Sequence, residues 1–594
     1  MDRAGHAGRQ DLRIETSTPG AAPPKGSHRS SAPVDAGAQR TDPPLAKGLI
    51  IAHLVTLVLA AVVLAYVNRQ QWFFGDDWEF LSNRGFRGAL INVWVPHTVH
   101  WSTIPILISV ALRATFGLGS YWPFIAVLIT GHLVLVHLLW RVSLRAGATP
   151  AIATAGALVF ALLGAGSENL LWAFQIGFVG SLAFGWAAAL VADAPGRLGR
   201  RDAGVITLLI ASLLSSGIGV PLVVMVTLLV LLRSRNWLRA AVVGAIPGGI
   251  FLVWYRLIGS INNQPAGSAS RSVGAVAGRT AKALVTVAES VTGGTPQLVQ
   301  IAIVIAAGWW LFALVKVVRG RSQAQGLALV LVGPVAAALF IAIVALGRTE
   351  LGAPRYFYVV TAMAIPAVLV ALSAAARLPW LQGVVVAVLA VVGIHNVVLL
   401  KDASVLEATR EQALRKTVVA AAYLVTTRDD FLASQPEPTS DPDIRVDSLR
   451  RFVADYGFPV APVTAVGTNN ALLALMVAAP APRVFRGAPG PGAIFTAEVR
   501  ATQSPTGEAC WVPADGAVSP RVELRASGRG EAFRLEESAG PPFQLQVGTG
   551  AAASNLKAVP ALPGAPARVV ENLPTGTVLT VNLPAAGGAL CGVR

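Results

Sequence analysis

The chain has 594 residues, 54% hydrophobic and only 13% charged, with a mean hydropathy of +0.61. That excludes an ordinary soluble enzyme, because several apolar runs match the ~20 residues needed to cross a hydrocarbon core of ~30 Å. The formal net charge of +16 comes from Lys and Arg in small groups between apolar runs, with no basic domain or stacking aromatics, so the expected partner is a membrane and not nucleic acid.

Residues 1–46 are rich in Pro, Gly, Ser, Ala and Arg and lack apolar periodicity, which predicts a disordered cytoplasmic tail. Leu49–Val67 is the first expected span. An outer loop, 68–120, follows and carries Phe73-Phe74-Gly75-Asp76-Asp77-Trp78-Glu79-Phe80-Leu81, three carboxylates within four positions set among aromatics. Asp77 is placed to cap a short helix from Trp78 to about Arg87. The loop closes on Pro96-His97-Thr98-Val99-His100-Trp101-Ser102. Ile104–Phe116 reads as a helix lying along the interface, which keeps the basic stretch Arg141–Arg145 inside.

Further apolar runs lie at about 121–140, 150–166, 170–192, 203–217, 219–232, 240–258, 297–315, 325–346, 356–376 and 380–400. The expected fold is a polytopic α-helical membrane protein of about eleven transmembrane helices, spanning 47–400. Arg141/Arg145, Arg197/Arg200/Arg201, Arg233/Arg235/Arg239 and Lys316/Arg319/Arg321 then fall in short cytoplasmic loops. Around Ser215-Ser216-Gly217 the sequence leaves two short spans or a re-entrant pair open. An odd number of spans places 401–594 outside, as a mixed α/β domain with a helix over 401–434 and a β-sandwich-like module from about 490. The two cysteines, Cys510 and Cys591, are positioned to bridge that module, and so few cysteines speak against thiol chemistry.

Polar residues gather at the outer ends of the spans. Adjacent carboxylates such as Asp76 and Asp77 can divide labour, one as general base and one on a metal or an acceptor hydroxyl, while a cap beside a solvated acid is the plainer alternative. A glutamate at the hydrocarbon edge, Glu168, is costly unless it faces a cavity or a partner. Gln175, seven positions on, is expected two helical turns along the same face. Arg355-Tyr356 opens a span, either as an interfacial anchor or as a cationic fork for a phosphate at headgroup depth. His97 and His100 read as polar contacts to substrate, as interface packing, or as a metal pair.

Gly75-Asp76-Asp77-Trp78, the helix ending Thr115-Phe116-Gly117, Ser167-Glu168-Asn169 and Pro354-Arg355-Tyr356 occur in the order found in a known family. They resemble the GT-C superfamily of membrane glycosyltransferases, especially the polyprenyl-phosphate-sugar-dependent group of protein mannosyltransferases and lipid A aminoarabinose transferases. The resemblance covers about residues 47–400. It implies a polyprenyl-phosphate sugar donor, an extracytoplasmic glycan, lipid or protein acceptor, and inverting single displacement in the plasma (inner) membrane. It implies Asp76 as general base beside Asp77, the donor phosphate on Arg355, Tyr356 and Arg348, and substrate contacts from Glu79, His97, His100, Glu168, Asn169 and Gln175. No cofactor is required by it, although a divalent cation on Asp77 is a candidate. Relatives often carry Arg-x-Tyr where this chain reads Asn169-Leu-Leu-Trp172-Ala-Phe-Gln175, so sugar and acceptor do not transfer. The alternatives are a ligase or polymerase of lipid-linked glycans, disfavoured by a loop at 259–296 with only Arg271, Arg279 and Lys282 and no His, and a flippase-type transporter.

Overall fold

A computed structural model describes residues 47–594 except 83, 85–89, 98–99, 261–269, 320–325, 429–445, 462–463, 476, 481–491, 496–498, 504–508, 516, 518–519, 527–530, 538–542, 549, 555–556, 560–566, 574, 585–587 and 592–594. The expected tail 1–46, the end of the helix expected up to Arg87 and the segment 429–434 lie outside the described residues.

The apolar runs fold as helices, the form that satisfies every backbone polar group within its own segment. Helix α1 (Lys47–Val67) buries His53, Thr56, Ala60 and Leu64, a stripe at helical spacing, and leaves most of its other apolar side chains exposed. After α2 (Asp77–Ser82) and α3 (Thr103–Phe116), the chain continues as α4 (Trp122–Ala146), α5 (Pro150–Ala161), α6 (Glu168–Leu171) and α7 (Ile176–Ala192). Then come α8 (Arg200–Ser215), α9 (Gly219–Ser234), α10 (Trp237–Trp254), α11 (Val273–Thr292), α12 (Pro296–Val318), α13 (Ala328–Gly347), α14 (Pro354–Ala375) and α15 (Pro379–Thr427). Each of the eleven expected runs holds a helix, and among the described residues eight are long and apolar enough to cross a membrane. The others are short: α5 has 12 residues, and α8 and α9 have 16 each.

Three boundaries differ from expectation. Helix α5 stops at Ala161 because the Gly164-Ala165-Gly166 turn lies against α15, where a Cβ on Gly164 would sit 2.1 Å from the Asn396 carbonyl oxygen. The run 170–192 is broken by Trp172, whose extended backbone (φ −120°, ψ 113°) is followed by a 3₁₀ turn over Ala173–Gln175. Glu168 and Gln175 therefore do not share a helix face. The span 380–400 and the expected helix 401–434 are one 49-residue helix, α15, roughly 74 Å long. No proline follows Pro379 in it, and Asn396, Leu400, Ser404, Ala408 and Glu411 continue a single buried stripe across the Lys401-Asp402 charges.

The 203–232 stretch resolves into α8 and α9, joined by a tight bend whose Ser215 and Ser216 are buried. The 259–296 segment contains α11, which packs Ala283 and Val287 inward. At the ends of α4, α9 and α10, Arg145 and Arg233 both reach the buried Asp193 at 2.7 and 2.5 Å, and Arg239 pairs with Asp202 at 2.9 Å. These arginines tie the bundle end together as well as contributing positive charge.

Helices α16 (Val446–Tyr456) and α17 (Ala465–Leu475) lead into strands β1 (Val477–Pro480), β2 (Gly492–Phe495), β3 (Val499–Gln503), β4 (Ala509–Pro513), β5 (Arg521–Arg525), β6 (Glu531–Glu537), β7 (Phe543–Val547), β8 (Lys557–Val559), β9 (Ala567–Leu573), β10 (Val578–Asn582) and β11 (Gly588–Cys591). Strand structure thus begins at Val477, earlier than 490. The strands form two sheets of antiparallel pairs, ordered β1-β9-β6-β11-β4-β3 and β2-β5-β10-β7-β8. Alternating side chains such as Val522, Leu524, Phe543, Leu545 and Val547 are buried, as strand period requires. Cys510 and Cys591 stand opposite each other on β4 and β11 and form a disulfide across a sequence separation of 81.

Candidate active site

The segment after α1 is fastened along its length to α15. Ser404 Oγ donates to the Val67 carbonyl (2.6 Å), Gln71 Nε2 to the Ser404 carbonyl (3.1 Å) and Gln412 Nε2 to the Gln70 carbonyl (2.6 Å). The Trp72 amide donates to Glu411 Oε2 at 2.5 Å. Gly75 then turns the chain at φ +50°, a left-handed conformation that favours glycine. A Cβ there would also meet the Trp172 ring at 3.2 Å.

That turn sends the two aspartates to different environments. Asp77, the first residue of α2, is buried, and its Oδ2 accepts from the Phe74 amide (3.1 Å) and the Tyr121 hydroxyl (3.0 Å). It bonds back to the preceding turn, unlike an N-cap bonding forward. Tyr121 Oη in turn accepts from the Ala173 amide (2.9 Å), and Trp172 Nε1 donates to the Phe74 carbonyl (3.1 Å). Burial pushes the Asp77 carboxyl up to about 7, against the hydrogen bonds from Phe74, Tyr121 and Trp172 and with the help of the neighbouring Asp76 charge. A folded pKa raised above the ordinary 3.8 gives stability that is present at acid pH and lost as pH rises through about 7. Asp77→Asn, whose amide oxygen can accept both bonds, is therefore expected to flatten the fall in melting temperature between about pH 4 and pH 7; parallel wild-type and variant curves would refute this.

Asp76 is half exposed, and its Oδ2 lies 3.4 Å from His97 Nε2. The other imidazole nitrogen, Nδ1, is 2.6 Å from Glu79 Oε2, and Glu79 Oε1 is 2.7 Å from the buried Arg84. Arg84 also donates to the carbonyls of Asn92, Val95 and Pro96, which closes the loop on itself. Burial alone would push His97 down, but the carboxylates of Asp76 and Glu79 raise it to about 9. Glu79 is likewise pushed up by burial and brought down to about 2 by His97 and Arg84.

His97 and His100 exchange backbone hydrogen bonds at 3.0 and 2.8 Å. His100 Nδ1 accepts from the Gly217 amide (3.2 Å) in the α8–α9 bend and lies 3.3 Å from Ser216 Oγ. Burial drives His100 down to about 4, helped by the positive charges of His97, Arg348 and Arg355 and opposed by Asp76. The imidazole itself packs against the α8–α9 bend, with the Phe178 ring centroid 5.6 Å away.

Arg348 and Arg355 line a cavity of about 700 Å³. Arg348, Glu350 and Leu351 precede α14 on one wall, Arg355 and Tyr356 open α14, and Arg279, Lys282 and Thr286 face them from α11. Arg355 Nη1 is paired with Glu168 Oε2 at 2.7 Å, and its guanidinium lies 5.1 Å from the Tyr356 ring. Asn169 and Gln175 are fully enclosed, with Asn169 Nδ2 3.5 Å from Gln175 Oε1, a weak contact. Asp76, Glu79, His97 and His100 therefore converge, and Glu168, Arg348, Arg355 and Tyr356 gather at or beside the cavity, whereas Asp77, Asn169 and Gln175 are enclosed in the packing.

Arg84, Tyr121, Arg279 and Lys282 were not singled out as site residues from the sequence. For the α11 pair a signal exists, since 279, 282, 283 and 286 follow the spacing of one helical face. Among the described residues, no group of three or more His, Cys, Asp or Glu is arranged to hold a metal. The Asp77 carboxylate, the candidate ligand, is enclosed by Phe74 and Tyr121, so its surroundings do not fit a cation site.

No protein-family model and no curated protein matches the chain. Among solved structures it is similar to the crystal structure of ArnT from Cupriavidus metallidurans bound to undecaprenyl phosphate, at 12% identity and a TM-score of 0.41, over 69% of this chain and 86% of that chain.

Proposed function

We propose that the protein transfers a sugar from a polyprenyl-phosphate donor to an acceptor hydroxyl at the extracytoplasmic membrane face. The observation that carries this is a half-exposed carboxylate, Asp76, in the loop after the first helix, together with a cavity of about 700 Å³ lined by Arg279, Lys282, Arg348 and Arg355. Arg279, Lys282, Arg348 and Arg355 supply positive charge for a phosphate, and helix ends at the membrane surface suit a headgroup whose prenyl chain stays in lipid. The order of the Asp76-Asp77, Glu168-Asn169 and Arg355-Tyr356 motifs supports the same reading.

In the proposed reaction the acceptor oxygen attacks the anomeric carbon while Asp76 takes its proton. The bond from that carbon to the phosphate oxygen breaks, and its electron pair leaves with polyprenyl phosphate, whose growing charge meets Arg355 and Arg348. One displacement inverts the anomeric centre. Glu168, paired with Arg355, competes with the phosphate for the guanidinium, so donor binding exchanges one anion for another.

The purified full-length chain in lipid nanodiscs, supplied with radiolabelled polyprenyl-phosphate sugars and candidate acceptors, is expected to form a covalent product and release polyprenyl phosphate. Movement of labelled lipid across proteoliposomes with no product from any donor would instead place the chain among transporters.

A further inference from the structure

We propose that His97 is a positioning residue: its imidazolium, gripped from behind by Glu79, fixes the carboxylate of Asp76 in the orientation that receives the acceptor proton. This rests on the sugar-transfer reading above. Asp76 is half exposed, and a carboxylate so placed is free to rotate in water unless something holds it. His97, by contrast, is only 4% exposed and is held by its surroundings. Its backbone is tied to His100 by two hydrogen bonds, and its ring is packed edgewise by Phe80 and Phe174, with centroids 5.4 and 5.0 Å away.

The charges facing His97 alternate along a line. Arg84, anchored by three carbonyls, holds Glu79; Glu79 holds Nδ1; and Nε2 meets Asp76 Oδ2. The remaining titratable neighbour, His100, is kept neutral by burial and by the nearby cations, so it does not compete for the carboxylates. With Oδ2 engaged, Oδ1 is the oxygen left to take a proton. Reactions of this kind lose about 10²-fold from a misplacement near 1 Å, so a fixed cation behind a mobile base has a kinetic consequence. His97 does not touch the reacting atoms in this scheme; it acts through Asp76.

The clamp exists while the imidazole is charged, so with the carboxylates raising His97 to about 9 it holds through neutral pH and is lost as pH rises through about 9. In nanodiscs, with the polyprenyl-phosphate sugar panel as donor, kcat of the wild type is expected to fall as pH rises through that point and to level off roughly 10–100-fold lower. His97→Gln is expected to lower kcat by roughly 10–100-fold at pH 7 and to abolish that alkaline limb, with donor KM within about twofold. His97→Lys, which keeps a cation to higher pH, is expected to recover part of kcat and to move the limb upward. A His97→Gln enzyme with wild-type kcat and an unchanged pH profile would overturn the positioning role. Should the wild type transfer no sugar from any donor, the functional reading falls, and the clamp is judged by melting temperatures of Asp76→Asn, His97→Gln and the double variant. Non-additive shifts at pH 7 that become additive at pH 10 support it, and additive shifts at both overturn it.

Discussion

Asp76→Asn is expected to reduce sugar transfer by about 10²–10⁴-fold, the range over which a general base acts. Asparagine matches aspartate in shape and cannot accept the acceptor proton, so the loss belongs to the chemistry and not to the packing. Asp76 is half exposed, with His97 as its ion-pair partner at 3.4 Å, and asparagine keeps an oxygen in that place. Membrane insertion, detergent-resistant folding and donor binding are therefore expected to persist. Product formation is the readout, with donor affinity measured in parallel on the same preparation. Turnover near the wild-type rate would remove Asp76 from the role of base and leave the acidic cluster without a chemical task.

The second large effect is expected at Arg355. Arg355→Ala removes a guanidinium that lines the cavity and leaves Glu168 without its 2.7 Å partner. A hydrogen bond to a charged group contributes about 1.5–3 kcal/mol, which corresponds to a donor KM raised roughly 10–150-fold. The unpaired Glu168 adds to the loss by presenting a bare negative charge to an anionic ligand. Acceptor KM is expected to stay within about twofold, because the acceptor reaches the site through Asp76 and not through the phosphate. Arg355→Lys is expected to restore little, since an ammonium cannot bind carboxylate or phosphate in the bidentate geometry of a guanidinium. An unchanged donor affinity in Arg355→Ala would identify the residue as a membrane-interface anchor paired with Glu168.

What was legible in the sequence follows from what local pattern can encode. Long apolar runs announced helices at every expected position, and a carboxylate pair just beyond the first run marked the loop of interest. The resemblance singles out Asp76 as the base, but the burial of Asp77 that sets the two acids apart is not legible. It depends on the left-handed turn at Gly75 and on Tyr121, 44 residues beyond Asp77, reaching back to its carboxylate. The imidazole of His97 was visible as a polar residue, but its place between Asp76 and Glu79 is set by Arg84 and by two phenylalanine rings that no spacing rule connects. In the sequence Arg279 and Lys282 read only as scattered charges in a loop, because α11 is amphipathic and short of a membrane span's hydropathy. The continuity of α15 was hidden by the Lys401-Asp402 pair, which marks an end of the apolar run without ending the helix.

The fastening of the acidic loop to α15 sets a timetable for biosynthesis. Ser404, Glu411 and Gln412 bond to residues that precede them by 333 to 342 positions, so the loop emerges from the ribosome long before the groups that hold it. At about 5–20 residues per second that interval is roughly 20–70 s. During it, the nascent chain carries Asp76 and its neighbours on a segment that can reach Tyr121 and Trp172 but not yet α15. The loop gains its α15 supports only when more than two thirds of the chain has been made, and a polypeptide cut short before Ser404 would hold every acid of the site and none of these α15 bonds.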